Sequence, residues 1–265
     1  MRQLFLFTVF SLFIALQSID AQINESEKSS VEISPHVNSI KKLPYRIFLP
    51  KNDTDSETGT MNSPRRMLVF LHGSGERGAD NTAQLKHGKA FFERMAQDHN
   101  TAVLVPQCPE NLSWHNGYSQ TTARGRDYHY PKKAAPNKVL DVLERLIDSV
   151  AEVQKIDASQ ISVGGLSMGG MGTLELLRRR PEFYKRAFVI CGGAHGAVAR
   201  QIGRTPVWFF HGEEDQIVIP KYAKRLYRKL KRKGIQTKLT LYPGVNHNSW
   251  DLAFEDQQLI PWLVQ

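Results

Sequence analysis

Short β-branched or aromatic runs alternate with longer amphipathic stretches along most of this chain, and that alternation restricts the fold more than any other feature. The strand-like runs are Tyr45–Leu49, Met67–Leu71, Ala102–Val105, Ile161–Gly164, Ala187–Cys191, Val207–Phe210 and Lys238–Tyr242. Helical patterns lie near 83–98, 137–154, 169–180 and 220–233, with a last one near 251–264. Over 137–154, Val139, Leu140, Val142, Leu143, Leu146, Ile147, Val150 and Val153 share one broad apolar face. From the second strand onward, this order predicts an α/β fold: a mainly parallel sheet with helices on both faces. The strand-to-strand connections are modest, so no large cap domain is expected. A single domain over 44–265 suits a chain of 265 residues, of which 41% are hydrophobic.

The first residues stand apart. Met1-Arg2 is a short positive start, Leu4 to Leu16 is an uninterrupted apolar run, and a more polar stretch leads to Ala21. This is the layout of a signal peptide over 1–21, which predicts a secreted or periplasmic protein. At about 13 residues the run falls short of the ~20 that a bilayer-crossing helix needs, so no stable span is expected after its removal. An uncleaved anchor is the competing reading. Residues 22–43 read as a polar lead-in, and 51–64 as a surface loop. Export permits disulfides, but Cys108 and Cys191 are the only cysteines, and two buried free thiols are preferred over a bond. Asn24, Asn52 and Asn111 each open an N-glycosylation triplet, which matters only in a source that glycosylates.

The net charge of +9 is concentrated in KYAKRLYRKLKRK, residues 221–233. Tyr222, Ala223, Leu226, Tyr227 and Leu230 fall on one helical face, cations fill the other, and Gly234 suits the C-terminal stop. The favoured reading is a solvated basic face; weak attraction to an anionic surface is the alternative. No nucleic-acid motif accompanies the charge, so no such partner is expected. The histidines are scattered without HExxH or CxxC spacing, and neither a metal nor a cofactor is implied.

The strongest local signal is Gly165-Leu166-Ser167-Met168-Gly169, which ends the strand ISVGG and opens the helical stretch GMGTLELLRRR. That setting is what a nucleophile elbow requires: the serine projects above the sheet at a helix N-terminus, where free N–H groups favour negative charge. A serine hydroxyl needs a base to take its proton. In this kind of fold the partners follow in the order acid, then histidine. After the strand Val207–Phe210 comes HGEEDQIV, and after the strand ending at Tyr242 comes PGVNHNSW. His247 is therefore the expected base and Asp215 the expected orienting acid, with Glu213 and Glu214 as rivals for the acid position. The backbone N–H of Met168 and that of Ser74, in the loop HGSGERG, are the expected oxyanion donors. His72 is read as a structural support of that loop.

Taken together, LVFLHGSGERGADN, VPQCPENLSW, ISVGGLSMGGMGTLELLRRRPEFYKRAFVICGGA, WFFHGEEDQIV and YPGVNHNSW resemble the carboxylesterase/phospholipase branch of the α/β-hydrolases. That branch adjoins dienelactone hydrolase-like, feruloyl esterase-like and "predicted peptidase" proteins. The likeness covers roughly residues 44–264. It implies the α/β-hydrolase fold, ester hydrolysis, the triad Ser167, Asp215 and His247, and the oxyanion donors Ser74 and Met168. GLSMGG in place of the GFSQGG of acyl-protein thioesterases points toward the secreted esterases.

Residues 111–135 fit neither helix nor strand and read as a long binding rim. Trp114, His115, Tyr118, Tyr128 and Tyr130 in it either stack on a sugar or aromatic acyl group or form the loop's own small core. Trp250, beside His247, either walls the acyl pocket or simply packs. Trp114, His115 and Trp250 are the substrate-contact candidates. The expected partner is a small-molecule or glycan ester. The expected activity is a secreted serine carboxylesterase acting on small or carbohydrate-linked acyl esters. A serine peptidase, a (lysophospho)lipase or thioesterase, and a non-catalytic binding protein are the alternatives.

Overall fold

The computed structural model describes residues 42–50, 64–122 and 125–265. The expected signal peptide, most of the lead-in and nearly all of the 51–64 loop lie outside these residues.

The chain builds β1 (Tyr45–Phe48), β2 (Arg66–Leu71), α1 (Lys89–His99), β3 (Thr101–Pro106), β4 (Tyr118–Thr122), β5 (Gly125–His129), α2 (Lys138–Val153) and β6 (Ile161–Leu166). It continues through α3 (Met168–Arg179), β7 (Ala187–Ile190), β8 (Val207–Gly212), α4 (Lys221–Arg232), β9 (Thr237–Tyr242), α5 (Trp250–Glu255) and α6 (Leu259–Val264). The main sheet has seven strands in the order β1-β3-β2-β6-β7-β8-β9. Only the β1–β3 pairing is antiparallel within it. Both faces are covered, which is why β2, β3, β6, β7 and β8 are apolar and buried almost throughout rather than alternating. Val69, Leu71, Leu104, Val163, Val189 and Phe209 pack against α2, α3 and α4. Leu68, Phe70, Val103, Phe188 and Phe210 pack on the other side against α1, α5 and α6. Cys108 belongs to the first layer and Cys191 to the second, so the sheet separates two buried free thiols.

Two expected helices are divided. The 83–98 pattern becomes a 3-10 turn, Ala83–Leu85, and then α1, because Gly88 between them takes a left-handed φ of 89°. The last pattern splits into α5 and α6, since Pro261 cannot continue a helix through 257–261: it has no N–H to donate and its ring would strike the carbonyl four residues back. The expectation that 111–135 lacks regular structure is corrected. Within it β4 and β5 pair as an antiparallel hairpin, Tyr118 opposite His129 and Ser119 opposite Tyr128. Its polar strands bury too little to show a two-residue apolar period, and the pairing is stabilised by what the hairpin docks on. Among the described residues this hairpin is the main excursion above the strand ends, and no separate cap domain is present.

Sheet order dictates where a site forms. After β2 the chain moves to β3 on one side, whereas β6 pairs with the other edge of β2. The loops leaving β2 and β6 therefore part toward opposite faces, opening a crevice at the carboxyl ends of the strands. Ser74 and Ser167 sit in those two loops.

Candidate active site

Ser167 caps α3 with φ 51° and ψ −115°, a conformation that side-chain-bearing residues rarely adopt. Its amide is held by the Ile190 carbonyl at 2.9 Å. The flanking glycines are needed for contact reasons: a Cβ on Gly169 would stand 1.9 Å from the Leu71 carbonyl oxygen, and one on Gly165 2.6 Å from it. Helix and strand can thus approach closely enough to turn the serine outward. Met168 opens α3, and its N–H has no intrahelical acceptor by position.

His247 and Asp215 reach this serine from the ends of β9 and β8. The Ser167 Oγ lies 2.9 Å from His247 Nε2, and His247 Nδ1 lies 2.8 Å from Asp215 Oδ2. Asp215 Oδ1 accepts the Ile217 and Val218 amides, each at 2.9 Å. Burial works against the Asp215 charge, but hydrogen bonds from His211 and His247 outweigh it and hold the carboxyl well below the usual carboxylate range. Glu213 and Glu214 are exposed, and Glu213 faces Lys224 at 3.9 Å. Of the three carboxylates, Asp215 is the one placed against His247.

The loop after β2 is tightly organised. His72, 1% exposed, accepts the Cys108 amide at Nε2 (2.9 Å), so its proton sits on Nδ1 and points to the Gly73 carbonyl at 2.6 Å. Burial drops its pKa to about 4. Gln107, fully buried, accepts the Asn81 amide and donates to the Glu76 carbonyl and the Asp80 carboxylate. Arg77 donates to the Ser74 carbonyl at 2.9 Å and the Leu112 carbonyl at 3.3 Å. Ser74 is exposed and begins a 3-10 turn, so its amide is free of any helical acceptor.

The three substrate-contact candidates part company. Trp114 has no exposure: it packs edge-on against His72 at 5.5 Å and fills the space over Gly172. It supports the β2 loop from behind and offers no face to a ligand, which corrects the expectation for it. His115 lies in a neighbouring cleft of about 340 Å³ with Arg77, Leu112 and Asn137, its Nδ1 accepting the Gly117 amide at 2.9 Å. Trp250 is half-buried and stands edge-to-face with His247 at 5.7 Å. Tyr128 and Tyr130 join Met171, Val218 and Tyr222 in a small apolar cluster, so these two tyrosines form the loop's own core.

Two supports of the site escape a reading of the sequence. His211 is wholly buried; its Nε2 donates to the Val218 carbonyl (2.6 Å) and lies 3.1 Å from Asp215 Oδ2. Its one signal was its place at the end of β8, inside an apolar run. Gln107 carried no signal beyond its neighbourhood in VPQCPE.

This geometry, a serine on a strand-to-helix turn at the switch point of a mostly parallel sheet with His and Asp on later strand ends, is that of the α/β-hydrolase fold. The chain belongs to the phospholipase/carboxylesterase family, whose model matches residues 59–259. It is 28% identical to lysophospholipase-like protein 1 of Mus musculus over 77% of this chain and 87% of the relative. It is 24% identical to acyl-protein thioesterase 1 homolog 1 of Dictyostelium discoideum, over 69% of this chain and 83% of the relative. A crystal structure of a thermostable esterase superposes with a TM-score of 0.68 at 31% identity, covering 87% of this chain but 60% of the esterase chain. Among the described residues no group of three or more His, Cys, Asp or Glu is placed to hold a metal, and no helix is long and apolar enough to cross a membrane.

Proposed function

We propose that this chain is a serine carboxylesterase that hydrolyses small or carbohydrate-linked acyl esters through an acyl-enzyme on Ser167. The observation that carries the reading is the continuous hydrogen-bonded line from Ser167 Oγ through His247 to Asp215. In this reading His247 Nε2 takes the serine proton as Oγ attacks the ester carbonyl, then gives it to the departing alcohol. Asp215 keeps the Nδ1 proton in place and stabilises the imidazolium. The Ser74 and Met168 amides receive the oxyanion, and losing one such donor costs about 2.7–4 kcal/mol of transition-state stabilisation. Water then repeats the cycle on the acyl-enzyme.

The test is Ser167→Ala assayed with p-nitrophenyl acetate. We expect kcat to fall by about 10⁶, as when an activated serine is removed from such a triad. Wild-type turnover in the variant would overturn the proposal.

Relatives named for thioesterase and lysophospholipase-like proteins favour a second reading, hydrolysis of acyl thioesters or lysophospholipids. A panel of acyl lengths across oxygen esters, thioesters and lysophospholipids separates the two, and a peptide substrate tests the peptidase alternative. A non-catalytic role would leave Ser167 unlabelled by a fluorophosphonate probe. Export is proposed from residues 1–21, with a secreted or periplasmic mature chain; fractionation followed by N-terminal sequencing checks it.

A further inference from the structure

On the α1/α5 side of the serine lies a buried carboxylate that the triad does not use. Glu76 is 5% exposed, yet it sits at the end of the 3-10 turn that opens with Ser74. The His87 ring lies beside it, with Nε2 3.6 Å from Oε1, too long for a direct hydrogen bond. No hydrogen bond from another described residue reaches either carboxylate oxygen. A Cβ placed on Gly73 would be 2.8 Å from Leu166 Cδ1, 2.9 Å from Glu76 Oε2 and 3.8 Å from Ser167 Cβ, so the carboxylate packs on the backbone that also adjoins Ser167. The rim is completed by Trp250, whose ring centre lies 4.9 Å from His87 and 5.7 Å from His247.

We propose that Glu76, His87 and Trp250 form a subsite for the alcohol part of the substrate, and that it selects a neutral, hydroxyl-rich alcohol such as a sugar. The inference rests on the esterase reading above. A carboxylate with so little exposure and no hydrogen bond from the described residues favours a ligand that brings donors to it. Adjacent sugar hydroxyls donate in pairs to a carboxylate, and the C–H face of the ring packs on an indole. The direction follows from Trp250: it packs against His247, the group that returns a proton to the leaving alcohol. A cation fits less well, because the chain carries a net charge of +9.

The experiment compares kcat/KM of the full chain on 6-O-acetylglucose, cyclohexylmethyl acetate and acetylcholine, in wild type and Glu76→Gln. The cyclohexyl ester keeps the ring and removes the hydroxyls. Wild type is expected to favour the sugar ester over the cyclohexyl ester by about tenfold or more, since a site built to bond hydroxyls discriminates against analogues lacking them. Glu76→Gln is expected to collapse that ratio about tenfold, mainly through KM on the sugar ester. If that variant does not fold, Trp250→Ala must reduce the same ratio. An unchanged ratio in the variant, no sugar preference in wild type, or a preference for acetylcholine overturns the subsite while leaving the esterase standing. A wild type that cleaves none of the esters and resists a fluorophosphonate overturns both.

Discussion

On the Asp215 carboxylate four donors converge: the Ile217 and Val218 amides at Oδ1, and the His247 and His211 rings at Oδ2. That convergence explains how a buried acid remains charged, and how it fixes the tautomer that leaves His247 Nε2 free to accept a proton. Asp215→Asn is expected to keep the fold, as judged by circular dichroism, while lowering kcat about 10⁴-fold, because the amide cannot hold the required tautomer. Glu213→Gln, at an exposed position, is expected to leave kcat unchanged in the same assay. HGEEDQIV contains three candidate acids at nearly adjacent positions, and their order alone does not choose among them. The choice is made by the turn after β8: the Ile217 and Val218 amides and the His211 ring are aimed at position 215.

The β4–β5 hairpin is a question of elements. It is held at the rim by Tyr222 of α4, whose hydroxyl donates to Asp127 at 2.5 Å and accepts the Tyr128 amide at 3.2 Å. Tyr128 and Tyr130 stack at 5.6 Å, and Tyr130 meets Tyr222 edge-on at 5.1 Å. The Arg178 guanidinium adds a bond to the Pro131 carbonyl. Tyr222→Phe keeps the ring packing and removes the hydroxyl's polar contacts with Asp127 and Tyr128. It is expected to hasten proteolytic cleavage within 118–134 and to raise KM more than it lowers kcat, checked by limited proteolysis beside steady-state kinetics. The strands of the main sheet were legible because their β-branched and aromatic runs stand out between helical stretches. The hairpin was not, since its stability resides in contacts with α3 and α4 rather than in its own residues.

For the molecule as a whole, acid is the informative stress. His72 stays neutral in the fold down to a pKa of about 4, against 6.5 for the free side chain. The unfolded chain therefore takes up a proton that the native chain refuses, so the contribution is complete above pH 6.5 and is lost as pH falls toward 4. The full loss amounts to about 3 kcal/mol. Urea unfolding between pH 7 and 4 is expected to show the midpoint falling across this window. His72→Gln is expected to flatten that dependence while lowering stability at pH 7. Because His72 bridges Gly73 and Cys108, the same pH window should loosen the loop that carries Ser74.

By itself the sequence determined the α/β layering, the elbow at Ser167 and the later positions of His247 and Asp215. These features are written in local patterns: apolar period, glycine placement and chain order. Tertiary structure alone decided that Trp114 is a buried prop, that His211 and Gln107 hold the acid and the β2 loop, and that Glu76 is buried beside His87. Each of those roles depends on which strand ends meet at the β2/β6 crevice. Contacts between residues far apart in the chain leave no periodic trace in it.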